Sequence, residues 1–222
     1  MTLPTTELEQ ILANAAEYQK NPAPGADLVG INMEGPFISP IKKGAQDERN
    51  IIPCNEEIAQ RFLDASDHLV KFLGIAPEES ANAASFIKNM KDKVNISLAH
   101  TNASYETAKE ALEAGANHVV HLFNAMTGFT HREPGVVGAT FDTDITTETI
   151  SDGIHISYPS LRIAYKQKGT DKTLLVTDAM CACGMPDGKY ALGGQPVIVK
   201  NGAARLENGA LAGSVLTLNK AI

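Results

Sequence analysis

The chain has 222 residues, enough for one sizeable core and short of two comfortable domains. A formal net charge of −7 without any basic tract argues against a nucleic-acid-binding surface. Hydrophobic residues make up 43% and charged residues 20%, an ordinary balance for a soluble globular protein, and no apolar run nears the roughly 18 residues that a membrane helix needs. The opening segment, Met1-Thr2-Leu3-Pro4-Thr5-Thr6, lacks a basic n-region and an apolar h-region, so it does not read as a signal peptide. Cys54, Cys181 and Cys183 cannot all pair, and Cys181-x-Cys183 is too tight for a usual zinc pair. They read as reduced thiols of a cytoplasmic protein.

Leu8, Ile11, Leu12, Ala15 and Tyr18 predict one buried face of a first helix, stopped by Asn21-Pro22 and Pro24-Gly25. A strand over 28–33 ends at Glu34, and Pro36, Pro40 and Gly44 mark an irregular loop after it. The next helix spans Glu56 to His68, with Ile58, Phe62 and Leu63 inward and His68 near its end. Strands then alternate with helices: strand 70–76, helix 80–90, strand 94–99, and a helix from Ser104 to Ala114 with Gly115 as its stop. A further strand ends near His121, a long loop fills 124–144, and a strand runs over 147–151. Pro159 opens a helix and 173–177 is the sixth strand. From Lys189 onward, Val197-Ile198-Val199 and Ala204-Arg205-Leu206 read as short strands, with hairpin turns at Asn201-Gly202 and Asn208-Gly209. Leu216 to Ile222 looks like the start of a helix.

This alternation predicts parallel strands with helical crossovers. The fold class is α/β: an incomplete (β/α)8 barrel with about six parallel strands, where a closed barrel has eight. The expected division is a partial barrel over 1–188, a small antiparallel segment over 189–213 and a truncated helix over 214–222.

The polar residues that end these strands carry the functional signal. Glu34, His100, His121, Asp152, His155 and Asp178 each follow a short apolar or β-prone run, and barrel chemistry sits where strands end. Glu34, His100 and His121 match the three-ligand count of a catalytic zinc site with one position left for water. Asp178 has two readings, a general acid/base beside that water or a helix N-cap. Asn124-Ala125-Met126-Thr127 with Arg132-Glu133-Pro134-Gly135 reads either as a nest for an anion with Arg132 as its partner, or as a solvated loop. His155 is a further anion partner or a packed histidine, and His131 is undecided. His68 and His118 read as structural, His118 pointing to the face opposite His121.

Taken together, several stretches resemble the N-acetylglucosamine-6-phosphate deacetylases of the amidohydrolase superfamily. They are Glu34-Gly35-Pro36-Phe37, Lys42-Lys43-Gly44-Ala45, Ala99-His100-Thr101-Asn102-Ala103, His121-Leu122-Phe123-Asn124-Ala125-Met126, Arg132-Glu133-Pro134-Gly135, Ser151-Asp152-Gly153-Ile154-His155, Leu175-Val176-Thr177-Asp178-Ala179 and Leu211-Ala212-Gly213-Ser214. They run in family order over nearly the whole chain. The resemblance implies that Glu34, His100 and His121 bind one divalent metal ion per chain, zinc or alternatively iron(II). It implies that Asp178 is the catalytic aspartate. Asn124, Ala125, Arg132 and His155 would surround a sugar phosphate, some of them across the interface of a homodimer, and Leu211, Ala212 and Gly213 would form a turn over the sugar. The implied reaction removes the acetyl group of N-acetylglucosamine 6-phosphate.

Two positions depart from the family pattern. Asn32 stands where a histidine is frequent, and Gln46 replaces a histidine thought to hold the acetyl carbonyl; its amide can donate a hydrogen bond there but cannot take up or release a proton as an imidazole does. Family members are also longer, so the chain reads as a fragment lacking the first two barrel strands, their His-x-His pair and the last helix. The competing expectation is a catalytically impaired fragment that keeps phosphosugar or metal binding. A dihydroorotase-like or urease-like site would need a lysine late in a strand, and none stands there.

Overall fold

Short runs of Val, Ile and Leu bounded by Gly, Pro and Asn form the strands, and the computed structural model describes residues 2–222. One sheet holds six parallel strands in strictly sequential order: β1 (Ile31–Met33), β2 (Val70–Ile75), β3 (Asn95–Leu98), β4 (His118–Val119), β5 (Thr146–Thr149) and β6 (Thr173–Leu175). The sheet curls into a half-barrel, in agreement with the expected fold. Pairing is longest at β2/β3, from Phe72↔Asn95 to Ile75↔Leu98, and shrinks to Ser97↔His118 and Leu98↔Val119 at β3/β4.

The crossover helices cover the outer face: α1 (Thr5–Lys20), α2 (Glu56–Ala65), α3 (Ala83–Met90), α4 (Tyr105–Ala114), α5 (Gly135–Phe141) and α6 (Tyr158–Lys168). Between sheet and helices lies a core of Leu73, Ile75, Ile96, Leu98 and Val119 against Phe62, Phe86, Ile87, Ala108 and Ala111. Phe37 sits edge-on to Phe86 with ring centroids 5.7 Å apart, and Phe62 is 6.4 Å from Phe37. All three rings are fully buried, each stabilising the fold by about 1.5–3 kcal/mol. The small residues of α4 let it lie close to the sheet. Ser104 caps α4 by accepting from the Thr107 amide, and Gly115, at φ 128°, ends it as expected.

Several expectations change. In α1 the buried stripe is Leu8, Leu12 and Ala16, while Ile11 and Tyr18 are exposed. The helix rests on α2 along a stripe narrower than the periodicity implied. α2 stops at Ala65, because Asp67 and His68 take left-handed angles (φ 49° and 60°) that no helix continues; His68 lies beyond the helix. α3 starts at Ala83, since the hydroxyl of Ser80 is occupied as an acceptor for the Cys54 amide. The segment 124–144 is not all loop. It contains α5, whose Val136, Val137 and Ala139 are buried; its two glycines, Gly135 at the start and Gly138 within, hid the helical pattern.

Near the C-terminus, β7 (Gly188–Leu192), β8 (Gln195–Lys200) and β9 (Ala203–Arg205) form a separate antiparallel sheet. Asn201 and Gly202 both take positive φ and close the β8/β9 hairpin, as their sequence predicted. The first strand, β7, lacked a distinct apolar run. The sheet packs its Val197, Val199 and Ala204 against Met180, Ala182, Ala212 and Ala45 of the barrel side. A short final helix, α7 (Leu218–Ala221), follows. Among the described residues no helix is long and apolar enough to cross a membrane.

Candidate metal centre

β3 and β4 each end two residues before a histidine. Ile96 and Leu98 of β3 and Val119 of β4 face the helix-covered core. Strict alternation would send His100 and His121 the same way. Both residues instead take left-handed backbone angles, φ 43° and 23°, and their rings turn into the concave side. Asp178, beyond β6, is left-handed as well, at φ 48°. Such angles cost on the order of 1–3 kcal/mol in non-glycine residues and cluster where function holds them. Glu34 follows β1 in ordinary alternation with Asn32.

The result is a cavity of about 610 Å³ whose lining includes Glu34, Gln46, His100, His121, His155 and Asp178. The Glu34 carboxylate lies 2.9 Å from His121 Nε2 and 3.2 Å from His100 Nε2. The two imidazoles stand edge to face, centroids 5.0 Å apart. One ligand atom from each of Glu34, His100 and His121 falls within 4.8 Å of the others, the one such trio among the described residues.

The donors fit a divalent ion. The Lys42 carbonyl accepts from His100 Nδ1 at 2.7 Å, which fixes the tautomer with a lone pair on Nε2. Gly44 makes this approach possible: it is left-handed (φ 57°), and a Cβ there would come within 3.3 Å of the His100 ring. His121 Nδ1 is buried and has no partner. One carboxylate and two neutral imidazoles suit zinc and similar ions.

The electrostatics couple the same three groups. Burial opposes a charged Glu34, yet the charge and hydrogen bonds of His100 and His121 outweigh it and hold the carboxyl well below its usual range. Burial likewise lowers His121, but the Glu34 carboxylate prevails and raises it to about 9. The pocket thus favours an anion beside a cation. Desolvation in the cavity pushes the Asp178 carboxyl up, with the Glu34 charge adding to it and His121 opposing. Asp178 itself is open to solvent at the cavity mouth.

The remaining predicted residues divide. Gln46 is buried; its Nε2 donates to Glu34 at 2.5 Å and its Oε1 accepts from the Thr2 amide at 2.5 Å, so one of its two N–H donors is committed to the carboxylate. Asn124 and Ala125 line the cavity, Asn124 tied to the His121 carbonyl at 3.3 Å. His155 lines it too, its Nδ1 bound to Asp152 at 2.6 Å, which leaves Nε2 for a ligand. Leu211 and Gly213 line the mouth, whereas Ala212 is fully buried beside the small sheet. The Asp178 carbonyl accepts from the Ser214 amide at 2.7 Å, which clamps this turn to the aspartate. Arg132 is exposed, hydrogen-bonded to His131 and outside the cavity lining.

The sequence reading missed Glu148 on β5. Its side chain reaches the cavity and bonds His118 and the His121 amide. The signal was present: a carboxylate inside the β-prone run Thr146-Thr147-Glu148-Thr149-Ile150, where buried charge is rare unless paired. His118, which read as structural, is buried. The assignment of its ring to the face opposite His121 is corrected, because the His118 ring meets Glu148, which lines the same cavity as Val120 and His121, and alternation fails after Val120.

A curled parallel sheet with a carboxylate, two imidazoles and an aspartate at the carboxyl ends of its strands defines a barrel-type protein with a candidate metal site at its rim. No protein-family model matches the chain, but individual proteins do. It is 41% identical over 218 residues to the N-acetylglucosamine-6-phosphate deacetylase of Bacillus subtilis, covering 96% of this chain and 55% of that protein. It is 34% identical over 224 residues to the N-acetylgalactosamine-6-phosphate deacetylase of Escherichia coli O157:H7, covering 100% and 59%. The structure of the Mycobacterium smegmatis N-acetyl-D-glucosamine-6-phosphate deacetylase D267A mutant, in complex with N-acetyl-D-glucosamine-6-phosphate, superposes with a TM-score of 0.92 at 31% identity over 100% of this chain and 57% of that one. By sequence and fold the chain belongs to the N-acetylglucosamine-6-phosphate deacetylase family. It spans about half the length of the curated relatives it matches.

Proposed function

We propose that this chain carries the catalytic centre of a metal-dependent deacetylase that hydrolyses N-acetylglucosamine 6-phosphate to glucosamine 6-phosphate and acetate. The convergence of Glu34, His100 and His121 within 4.8 Å, with Asp178 on the same cavity, carries the reading. A divalent ion on those three ligands, zinc by donor chemistry with iron(II) as the alternative, supplies an activated water and a polarised amide carbonyl when bound. Asp178 takes the proton released as the water oxygen bonds to the acetyl carbon. The C–N bond then breaks, and Asp178 returns that proton to the departing amine nitrogen. Gln46 holds the Glu34 carboxylate in place. Asn124, the Ala125 backbone and His155 face the sugar phosphate, with Asp152 fixing the His155 tautomer. Leu211 and Gly213 close over the sugar, with Ala212 behind them.

Arg132 stands outside the cavity of its own chain, which supports a homodimer of the whole protein in which it reaches the partner's phosphosugar. The three unpaired thiols suit the reducing cytoplasm.

A second reading rests on the exposed Leu174 and Leu175 of β6 and the open concave side at Asn32: the chain binds metal or phosphosugar but turns over slowly. The test is amine release from N-acetylglucosamine 6-phosphate, with zinc supplied and chelator as control. Chelator-sensitive turnover lost in Asp178→Asn supports the deacetylase. Bound zinc without turnover supports the second reading, and neither metal nor sugar phosphate binding defeats both. The galactosamine epimer, run in parallel, decides the sugar.

A further inference from the structure

The Glu148 carboxylate lies beneath the metal centre and is 8% exposed. Three groups converge on it. Asn32 Nδ2, from β1, donates to Oε1 at 2.8 Å. His118 Nε2, from the start of β4, meets the same oxygen at 3.1 Å. The His121 backbone amide, from the end of β4, donates to Oε2 at 3.3 Å. A carboxylate only accepts, so His118 carries its hydrogen on Nε2, and its Nδ1 takes the Thr146 hydroxyl at 2.7 Å.

We propose that Glu148 is a positioning residue that links β1, β4 and β5 below the centre and holds His121 in its ligating posture. The need for such a residue is visible in the backbone. His121 sits at φ 23°, in conflict with the alternation of its strand, and β4 pairs with each neighbour over only two residues. Little of the sheet ladder therefore restrains this strand end. The amide of His121 finds its acceptor in a side chain of the neighbouring strand, and the same side chain grips His118 three residues earlier. Gripping His118 and the His121 amide together fixes the backbone from which the His121 ring reaches Glu34. This inference rests on the metal-centre reading for its consequence, and on geometry alone for the clamp.

The test uses the full chain and two readouts: backbone hydrogen exchange over residues 118–123, and zinc affinity by competition with a chromophoric chelator. Glu148→Ala is expected to speed exchange of the His121 amide at least tenfold and to weaken zinc binding by about 10–100-fold, the range for loss of an outer-sphere partner. Glu148→Gln keeps one acceptor; with the Asn32 amide turned and the His118 tautomer switched, it recovers most of both losses. If the alanine variant unfolds, the glutamine variant still decides, since it must lie within a fewfold of wild type in zinc affinity while His121→Ala does not. Exchange and zinc affinity unchanged in Glu148→Ala would overturn the proposal. If wild type binds no zinc, the metal reading fails on its own and the exchange readout still tests the clamp.

Discussion

The outer face of the sheet and its rim obey different rules. On the outer face, position follows periodicity: Ile96 and Leu98 on β3, Leu73 and Ile75 on β2, each two residues apart and each against a helix. At the rim, position follows backbone exceptions. His100, His121 and Asp178 all have positive φ, and each histidine reaches the cavity only because the alternation is broken there. The first region derives its stability from buried area. The second holds strain and charge that the first must support. Rim substitutions should therefore change chemistry while sparing the fold, and core substitutions should do the reverse.

The sharpest form of that contrast is Asp178→Asn. It should lower turnover of N-acetylglucosamine 6-phosphate by about 10²–10⁴-fold, the range for losing a general acid/base, with the urea midpoint unchanged. A fall in stability of comparable size would merge the two regions. Phe62→Ala is the converse experiment. The ring is fully buried against Phe37, so unfolding free energy should drop by about 3–5 kcal/mol while activity per folded molecule holds. Equilibrium denaturation beside an active-site titration measures both.

Gly213→Ala probes the border between the regions. The residue is left-handed, and a Cβ would sit 3.1 Å from the Asp178 carbonyl oxygen and 3.3 Å from Met180. A destabilisation of about 1–2 kcal/mol should come with loss of turnover, because the same turn clamps Asp178. Normal turnover in a destabilised variant would show that the clamp is dispensable. Smaller still is Ser104→Ala, outside the cavity lining, which removes the α4 cap and should cost about 1 kcal/mol with no catalytic effect. The mildest test uses thiol chemistry. Burial pushes the Cys54 thiol up to about 11, so it stays protonated and sheltered at pH 8, and a thiol reagent should label exposed Cys181 first. Cys54 labelling at the same rate in the folded chain would show that the outer layer opens readily.

The same division explains what could be read from the sequence. The six strands, the capped α4 and the Asn201-Gly202 turn were legible because apolar period, a cap serine and paired left-handed residues act locally. α5 was hidden by glycines, and the exposure of Ile11 and Tyr18 depended on how closely α2 leans on α1. At the rim, Glu34, His100, His121 and Asp178 do share one cavity, and their place after strands was legible. Their direction was not, because φ at a strand end is set by partners far along the chain, such as the Lys42 carbonyl for His100. Glu148 escaped for a related reason: a carboxylate within a strand means little until His118, Asn32 and the His121 amide are seen around it.

The strictly sequential strand order also has a consequence for biosynthesis. Every strand of the half-barrel pairs with the one made just before it, so the sheet can grow by one edge as the chain leaves the ribosome. Glu34, His100 and His121 are translated first, then Glu148, and Asp178 with its Ser214 clamp comes last. On the proposed function, a nascent chain would be able to capture an ion before Asp178, the proposed proton carrier, exists.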